Sequence, residues 1–384
     1  MRPIAILSSL GLATIVASML ACSGSPGDSG FSGGSSSGGG SGSSSSGGNS
    51  SGGSSGGSNS SGGGSGSFGN SSSGGSSGSS SGGDAGSTSV TYVYAHTDST
   101  LYSVDPTSNA VTMIGAFTGG PTTVTDLAVD ENNDVYVNSE TAVYKAALPS
   151  GGTGSVTCTQ LATFTGVTNM YALAFTPKGS LDPNNEILVG GDGAGTVWSI
   201  DTSSGATKNL GNFGPDPSNS CTSKSGCTLG LSGDMVFYLN SSNAPTGLAT
   251  IRSCGSGGKG CSNDWLAGVD MTALATAYTT GTPATTGHAL LGGVYGGSSS
   301  ALGPGTGYYA VYGLAAYNSK IFGFTRNESS TSSPPTLITI DTGTGVGSMV
   351  NNGFSFTNGW SGAGVSTKVT IVNVPPPPPP PQNQ

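Results

Sequence analysis

Charge is scarce in this sequence: Asp, Glu, Lys and Arg make up 8% of its 384 residues, with a net balance of −9. The ten basic residues are spread thinly, as at Lys145, Lys178, Lys208 and Lys320, and form no stripe. Nucleic acid is held by clustered positive charge, so no nucleic-acid partner is expected. Glutamate occurs only at positions 131, 140, 186 and 328, so a hydrolase using paired carboxylates would have to draw on Asp. The two histidines, His96 and His288, stand far apart without a local partner motif, and beyond the Gly/Ser-rich stretch of 23–88 neither a Gly-x-Ser-x-Gly elbow nor a His-Glu-x-x-His pair occurs. "DENND" (130–134) alternates like a calcium loop, but Val135 and Thr141 stand where an EF-hand needs Gly and Glu. It reads as a hairpin turn, as does "GGDGAG" (190–195). No metal, no cofactor and no catalytic residue is expected, and no segment carries a sustained helical period.

Glycine and serine are abundant instead. They fill 56 of the 66 positions from 23 to 88, where only Phe31 and Phe68 are large and apolar. Such a stretch buries too little to offset its ordering entropy and is expected to be a disordered tether, with a root-mean-square span of roughly 45 Å. The ordered domain is expected over 89–374, followed by a proline-rich tail over 375–384.

The first residues, "MRPIAILSSLGLATIVASMLAC", combine Arg2, an apolar run from Ile4 to Leu20 and a small residue before Cys22. This reads as a signal peptide over 1–21. Met19-Leu20-Ala21-Cys22 resembles the lipobox of bacterial lipoproteins, apart from Met in place of the usual Leu. The resemblance implies cleavage before Cys22, lipidation of that cysteine and membrane attachment through acyl chains, with residues 22–88 as the tether. Ser23 after the cysteine looks more like sorting to the outer membrane or cell surface than inner-membrane retention. Ordinary cleavage after Ala21, giving a soluble secreted protein, is the other outcome.

Between 90 and 367 the chain repeats itself. "TDLAVDENNDVYVNSETAVYKAAL" from Thr125, "YALAFTPKGSLDPNNEILVGGDGAGTVWSID" from Tyr171 and "YGLAAYNSKIFGFTRNESSTSSPPTLITID" from Tyr312 share one order of short alternating strands. "SGDMVFYLNSSNAPTGLATIRSC" from Ser232 follows it more loosely. A third-strand signature recurs as "LYSVD", "VWSID", "LAGVD" and "LITID", with Asp105, Asp201, Asp270 and Asp341 each opening a turn. A ring of cation-binding carboxylates is the alternative use of these aspartates.

Leu127 and Leu173, which open successive units, lie 46 residues apart, the length of a four-stranded β-propeller blade. The units read as 124–164, 170–214, 232–279 and 308–350. Residues 90–117 lack a first strand, and "GWSGAGVST" near the C-terminus is a first strand alone. The fold expected is therefore all-β, a five-bladed propeller in which Ala363–Thr367 completes the N-terminal blade, or six-bladed if 280–307 hides a further unit. These repeats resemble those of uncharacterised bacterial secreted lipoproteins of propeller type, and the resemblance implies fold and export but no activity.

An exported chain meets oxidising conditions, and Cys221, Cys227, Cys254 and Cys261 bracket two short Gly/Ser-rich loops. Two local disulfides are the simplest pairing, with cross-pairing open. Cys158 reads as buried and unpaired. In a propeller the loops between second and third strands share a face with the blade-to-blade connections, which puts both cysteine loops, 280–307 and 326–336 on one side. Trp265, Tyr308, Tyr309 and Arg326 are the candidate binding residues there, with Trp265 as a core residue the competing reading. Function is then expected to be that of a surface-exposed, lipid-anchored, non-catalytic binding or adhesion module with a glycan or protein ligand. The alternatives are a propeller hydrolase or lyase acting on extracellular polysaccharide, and an envelope spacer.

Overall fold

The computed structural model describes residues 93–221, 226–255, 261–287, 289–298, 301–326, 334–356, 359–369, 374 and 377–378. The leader, Cys22, the Gly/Ser tether, His288 and most of the proline tail lie outside these. The described chain is built almost wholly from short antiparallel strands. In order they are β1 (Val93–His96), β2 (Thr100–Val104) and β3 (Val111–Thr118), then β4 (Asp126–Val129), β5 (Val135–Asn138), β6 (Ala142–Ala147) and β7 (Val156–Thr163). Next come β8 (Met170–Thr176), β9 (Ile187–Asp192), β10 (Thr196–Ile200) and β11 (Thr207–Asn212). They are followed by β12 (Thr228–Leu239), β13 (Pro245–Cys254), β14 (Trp265–Val269), helix α1 (Met271–Thr280) and β15 (Leu291–Val294). The series ends with β16 (Val311–Tyr317), β17 (Lys320–Thr325), β18 (Leu337–Ile340), β19 (Gly347–Asn351) and, alone, β20 (Gly362–Gly364).

Strands β8–β11, β12–β15 and β16–β19 each make a four-stranded sheet. The remaining eight make one sheet in the order β20-β1-β2-β3-β7-β6-β5-β4, in which β3 meets β7 through a short parallel pairing at Phe117 and Thr118. Strand β4 packs beside β8, β8 beside β12, β12 beside β16, β16 beside β20, and β20 beside β4. These strands therefore form a closed circuit from which the sheets radiate, a propeller-type arrangement.

The solitary "GWSGAGVST" segment supplies β20, which pairs antiparallel with β1 by setting Ala363 opposite Ala95 and Gly362 opposite His96. Two devices hold it there. Trp360, fully buried, is ringed by Tyr102, Phe324, Phe354 and Phe356 with centroids 4.8–5.3 Å away. Such pairs contribute about 0.5–1.5 kcal/mol each beyond their burial. The second is steric: a Cβ on Gly362 would sit 2.0 Å from Asp126 Oδ1 and 2.5 Å from His96 Nε2, so only glycine lets this strand reach the axis.

The turn aspartates behave as turn chemistry requires. Asp105, Asp201 and Asp341 accept the backbone N–H groups of Thr107, Ser203 and Thr344 at 2.8 Å. The hydroxyls of Ser108, Ser203 and Thr344, which also donate to these carboxylates, act first, and with the backbone bonds hold the carboxyls below the ordinary range, that of Asp201 at about 2. Asp270 departs from the expected turn. It caps α1, accepting from Thr272 N and Ala273 N, because the following Met-Thr-Ala-Leu-Ala run favours helix. Residues 280–307 likewise prove not to be only an insertion, since they contribute β15, the fourth strand of the β12–β15 sheet. That unit begins at Thr228 rather than Ser232 and runs through Val294.

Candidate functional site

Of the four residues singled out by sequence, Trp265 is a core residue. It is 3% exposed, packs with Leu229, Ile251 and Leu302, and donates its indole N–H to the Gly303 carbonyl at 3.1 Å. Its expected place on a binding surface is corrected accordingly: the ring is the largest apolar group of its strand, and burial there is favoured by its area. Tyr308 is half-buried and Tyr309 is 46% exposed. Arg326, at the end of β17, is engaged within the fold. Its guanidinium holds Asp98 in two contacts of 2.5 and 3.1 Å and donates to Ser361 Oγ at 2.8 Å, while that hydroxyl donates to Asp98 at 2.6 Å. The cluster clasps the end of β17, the β1–β2 turn and the entry to β20.

Both cysteine loops close locally, Cys221 with Cys227 and Cys254 with Cys261. Cys158 is buried and free, and burial pushes its thiol up to about 11. The buried Asp216 joins the two stapled loops: its carboxylate accepts Ser220 N from the first at 2.5 Å and Ser253 Oγ, beside Cys254, at 2.5 Å.

Next to these staples lies a cavity of about 550 Å³, within the 300–1,000 Å³ typical of small-ligand sites. It opens between the β8–β11 and β12–β15 sheets. Its lining includes Asn169 from the connection before β8, Tyr171, Asp192, Trp198, Arg252 and the Cys254–Cys261 disulfide. None of Trp265, Tyr308, Tyr309 or Arg326 lines it. Close backbone approach shapes one wall. Gly195, at φ +82°, lies so near β12 that a Cβ there would fall 2.4 Å from the Leu229 carbonyl oxygen. Asp192 accepts Ala194 N and Thr196 N at 3.0 and 2.9 Å and the Trp198 indole N–H at 3.2 Å, so the turn fixes the indole. Tyr171 donates its hydroxyl to Glu140 at 3.4 Å. Arg252 donates to Ser232 O at 3.2 Å and Tyr312 Oη at 3.1 Å, with its guanidinium 5.5 Å from the Tyr312 ring centroid.

A second groove, beside α1, is open and lined by Met271, Ala275 and several threonines. Thr276 and Thr279 turn their hydroxyls back to helix carbonyls at 2.8 and 2.9 Å, which leaves that surface little donor capacity for a ligand.

The third group of ionisable side chains lies inside the closed circuit. Asp126 opens β4 and accepts Leu127 N at 2.8 Å and, from the next sheet, Leu173 N at 2.7 Å. Asp234 repeats the device on β12, accepting Met235 N at 2.6 Å and Leu314 N at 2.7 Å. Both side chains are fully buried, and burial raises both carboxyls well above the usual range. Each carboxylate so placed disfavours ionisation of the other, which adds to the effect of burial on Asp126. His96 Nδ1 donates to the Thr97 carbonyl at 2.8 Å, which leaves Nε2 facing Asp126 Oδ1 across 3.9 Å. That gap is no ion pair, because burial lowers the imidazole to about 4 and keeps it neutral. Its surroundings are backbone and core, and it lines neither surface cavity. Among the described residues, no group of three or more His, Cys, Asp or Glu side chains is placed to hold a metal ion.

No family model matches this sequence, and no curated protein sequence matches it. Several solved structures are similar in fold. A TolB-like protein from Agrobacterium tumefaciens is 9% identical over 71% of this chain and 95% of its own, with a TM-score of 0.36. The Dos1 propeller is 15% identical over 67% of this chain and 57% of its own, with a TM-score of 0.30. An auxiliary nutrient binding protein from Bacteroides thetaiotaomicron is 12% identical over 70% of this chain and 57% of its own, at 0.35. These likenesses are distant, and the propeller-type arrangement rests on the strand pairing described above.

Proposed function

We propose that this chain is a five-bladed propeller acting as a non-catalytic binding module, exported and held at the cell envelope by a lipid on Cys22. The cavity between the β8–β11 and β12–β15 sheets is its ligand site, and that cavity is the observation carrying the reading. It stands beside two disulfide-stapled loops, its aromatic side chains are fixed by neighbouring carboxylates, and its volume suits a small ligand. The closed circuit of β4, β8, β12, β16 and β20 supports five blades, the first completed by β20. The disulfides favour an oxidising compartment. Among the described residues no helix is long and apolar enough to cross a membrane. Binding is preferred to hydrolysis because acid–base cleavage of a glycosidic bond uses two carboxyls. Among the described lining residues there is one, Asp192, already accepting three hydrogen bonds.

The test is an array of glycans and proteins probed with the mature chain carrying Cys22→Ser. Retention of a ligand by this protein and its loss in Trp198→Ala is the expected result. Retention that survives Trp198→Ala but disappears in Tyr309→Ala would move the site away from the cavity.

A further inference from the structure

We infer that the cavity takes a neutral saccharide, one ring of which lies against Trp198, an inference that rests on the binding-module reading above. The argument is one of which groups remain unused. The charged groups in the lining are committed: Asp192 to its own turn and the Trp198 indole, Arg252 to Ser232 O and Tyr312 Oη. An anionic ligand would have to share Arg252 with Ser232 O and Tyr312 Oη, and a cationic one would have to compete with the three donors already on Asp192. The aromatic side chains have their polar edges occupied in the same way, the Trp198 N–H by Asp192 and the Tyr171 hydroxyl by Glu140. What they offer a ligand is carbon surface, held at fixed orientation without further entropic cost. Around them Thr168, Asn169 and Thr228 carry neutral hydroxyl and amide groups at exposed positions. A ligand with one apolar face and a rim of uncharged donors and acceptors matches this set, and a pyranose ring is such a ligand. The net charge of −9 further disfavours polyanionic glycans.

The structure also supplies a reporter. The chain has three tryptophans, and Trp265 and Trp360 are 3% and 0% exposed, so Trp198 dominates the solvent-sensitive emission. The mature Cys22→Ser chain is titrated with neutral gluco-, xylo- and manno-oligosaccharides and with oligogalacturonate. A saturable emission shift is expected with at least one neutral series, with oligogalacturonate weaker. The affinity, read by calorimetry, should fall about tenfold or more in Trp198→Ala and be largely kept in Trp198→Phe, which retains an aromatic face. Circular dichroism of both variants checks that the fold is intact. If no neutral saccharide shifts the emission, or if oligogalacturonate binds more tightly, the saccharide inference is overturned. A Trp198-dependent protein ligand on the array would overturn it while leaving the binding module standing. An array with no retained ligand at all would overturn both.

Discussion

The clasp at Arg326 yields the sharpest quantitative expectation. The side chains of Arg326 and Asp98 are 14% and 23% exposed, so their ion pair lies between the surface and buried regimes. Exposed pairs contribute about 0–1 kcal/mol, and breaking a buried one costs about 3–5 kcal/mol. Two guanidinium contacts to one carboxylate, plus the hydroxyl of Ser361, place Arg326→Ala at about 2 kcal/mol of lost stability. Asp98→Ala should cost about 1–2 kcal/mol, because the stranded guanidinium still reaches some solvent. The double variant should cost less than the two losses added, with a coupling of about 1 kcal/mol or more. Urea unfolding at constant m-value reads all three, and repetition in 1 M salt should shrink the effect only partly. Hydrogen exchange adds a local readout, with the Gly362–Gly364 amides losing protection before the rest of the sheet. Single variants costing under about 0.5 kcal/mol, or strictly additive ones, would refute the idea that this contact fastens the closing strand.

Two further expectations concern the axis. Gly362→Ala should lower the melting temperature sharply and expose the β20 amides to exchange, since the new methyl group would overlap Asp126 and His96. Leaving these amides protected would show that β20 has room to shift. His96 titrates near 4 in the folded chain against 6.5 unfolded, so the unfolded chain takes up its proton first as pH falls. The His96 contribution is full above pH 6.5 and declines towards pH 4 by up to about 3 kcal/mol, a loss that His96→Gln should remove when urea midpoints are compared at pH 7 and 4.5. Asp126 and Asp234 act in the opposite sense. Their raised carboxyls stabilise most in acid and less as pH rises through their folded values, so the difference between the parent chain and His96→Gln is the informative quantity.

Sequence reading reached the architecture because each repeat carries its strand order locally. Alternation, the Leu-Ala openings and the turn aspartates are short-range signals, and even "GWSGAGVST" could be assigned once the N-terminal unit was one strand short. The lapses came where one residue type serves two local outcomes. Asp270 has the same chemistry as Asp201, yet it opens a helix because Ala and Leu follow it rather than Ser and Gly. The candidate site was less legible. In "VWSID" Trp198 occupies the slot of Tyr102 in "LYSVD" and Ile338 in "LITID", both of which pack inward. Only the neighbouring sheet, brought close by Gly195 and Gly230, turns that slot towards a cavity. Arg326 and Trp265 have the side chains of surface anchors, but their partners, Asp98 and Gly303, are remote in sequence and cannot be read from spacing.

The pairing of Ala95 with Ala363 also sets an order of events. Contacts within each four-stranded sheet join residues close in sequence, so those sheets can form as soon as their own segment is available. The seam between β1 and β20 joins opposite ends of the domain, and the loop-closure entropy of nearly the whole chain opposes it until the intervening sheets have compacted. Closure is therefore expected late in folding, and until it happens β1, β4 and β16 each lack the β20 neighbour they have in the finished ring. Gly362, Trp360 and Arg326 all act on this closing step, so lesions in them should appear first as slow folding and aggregation of the unclosed chain, ahead of any defect in the finished protein.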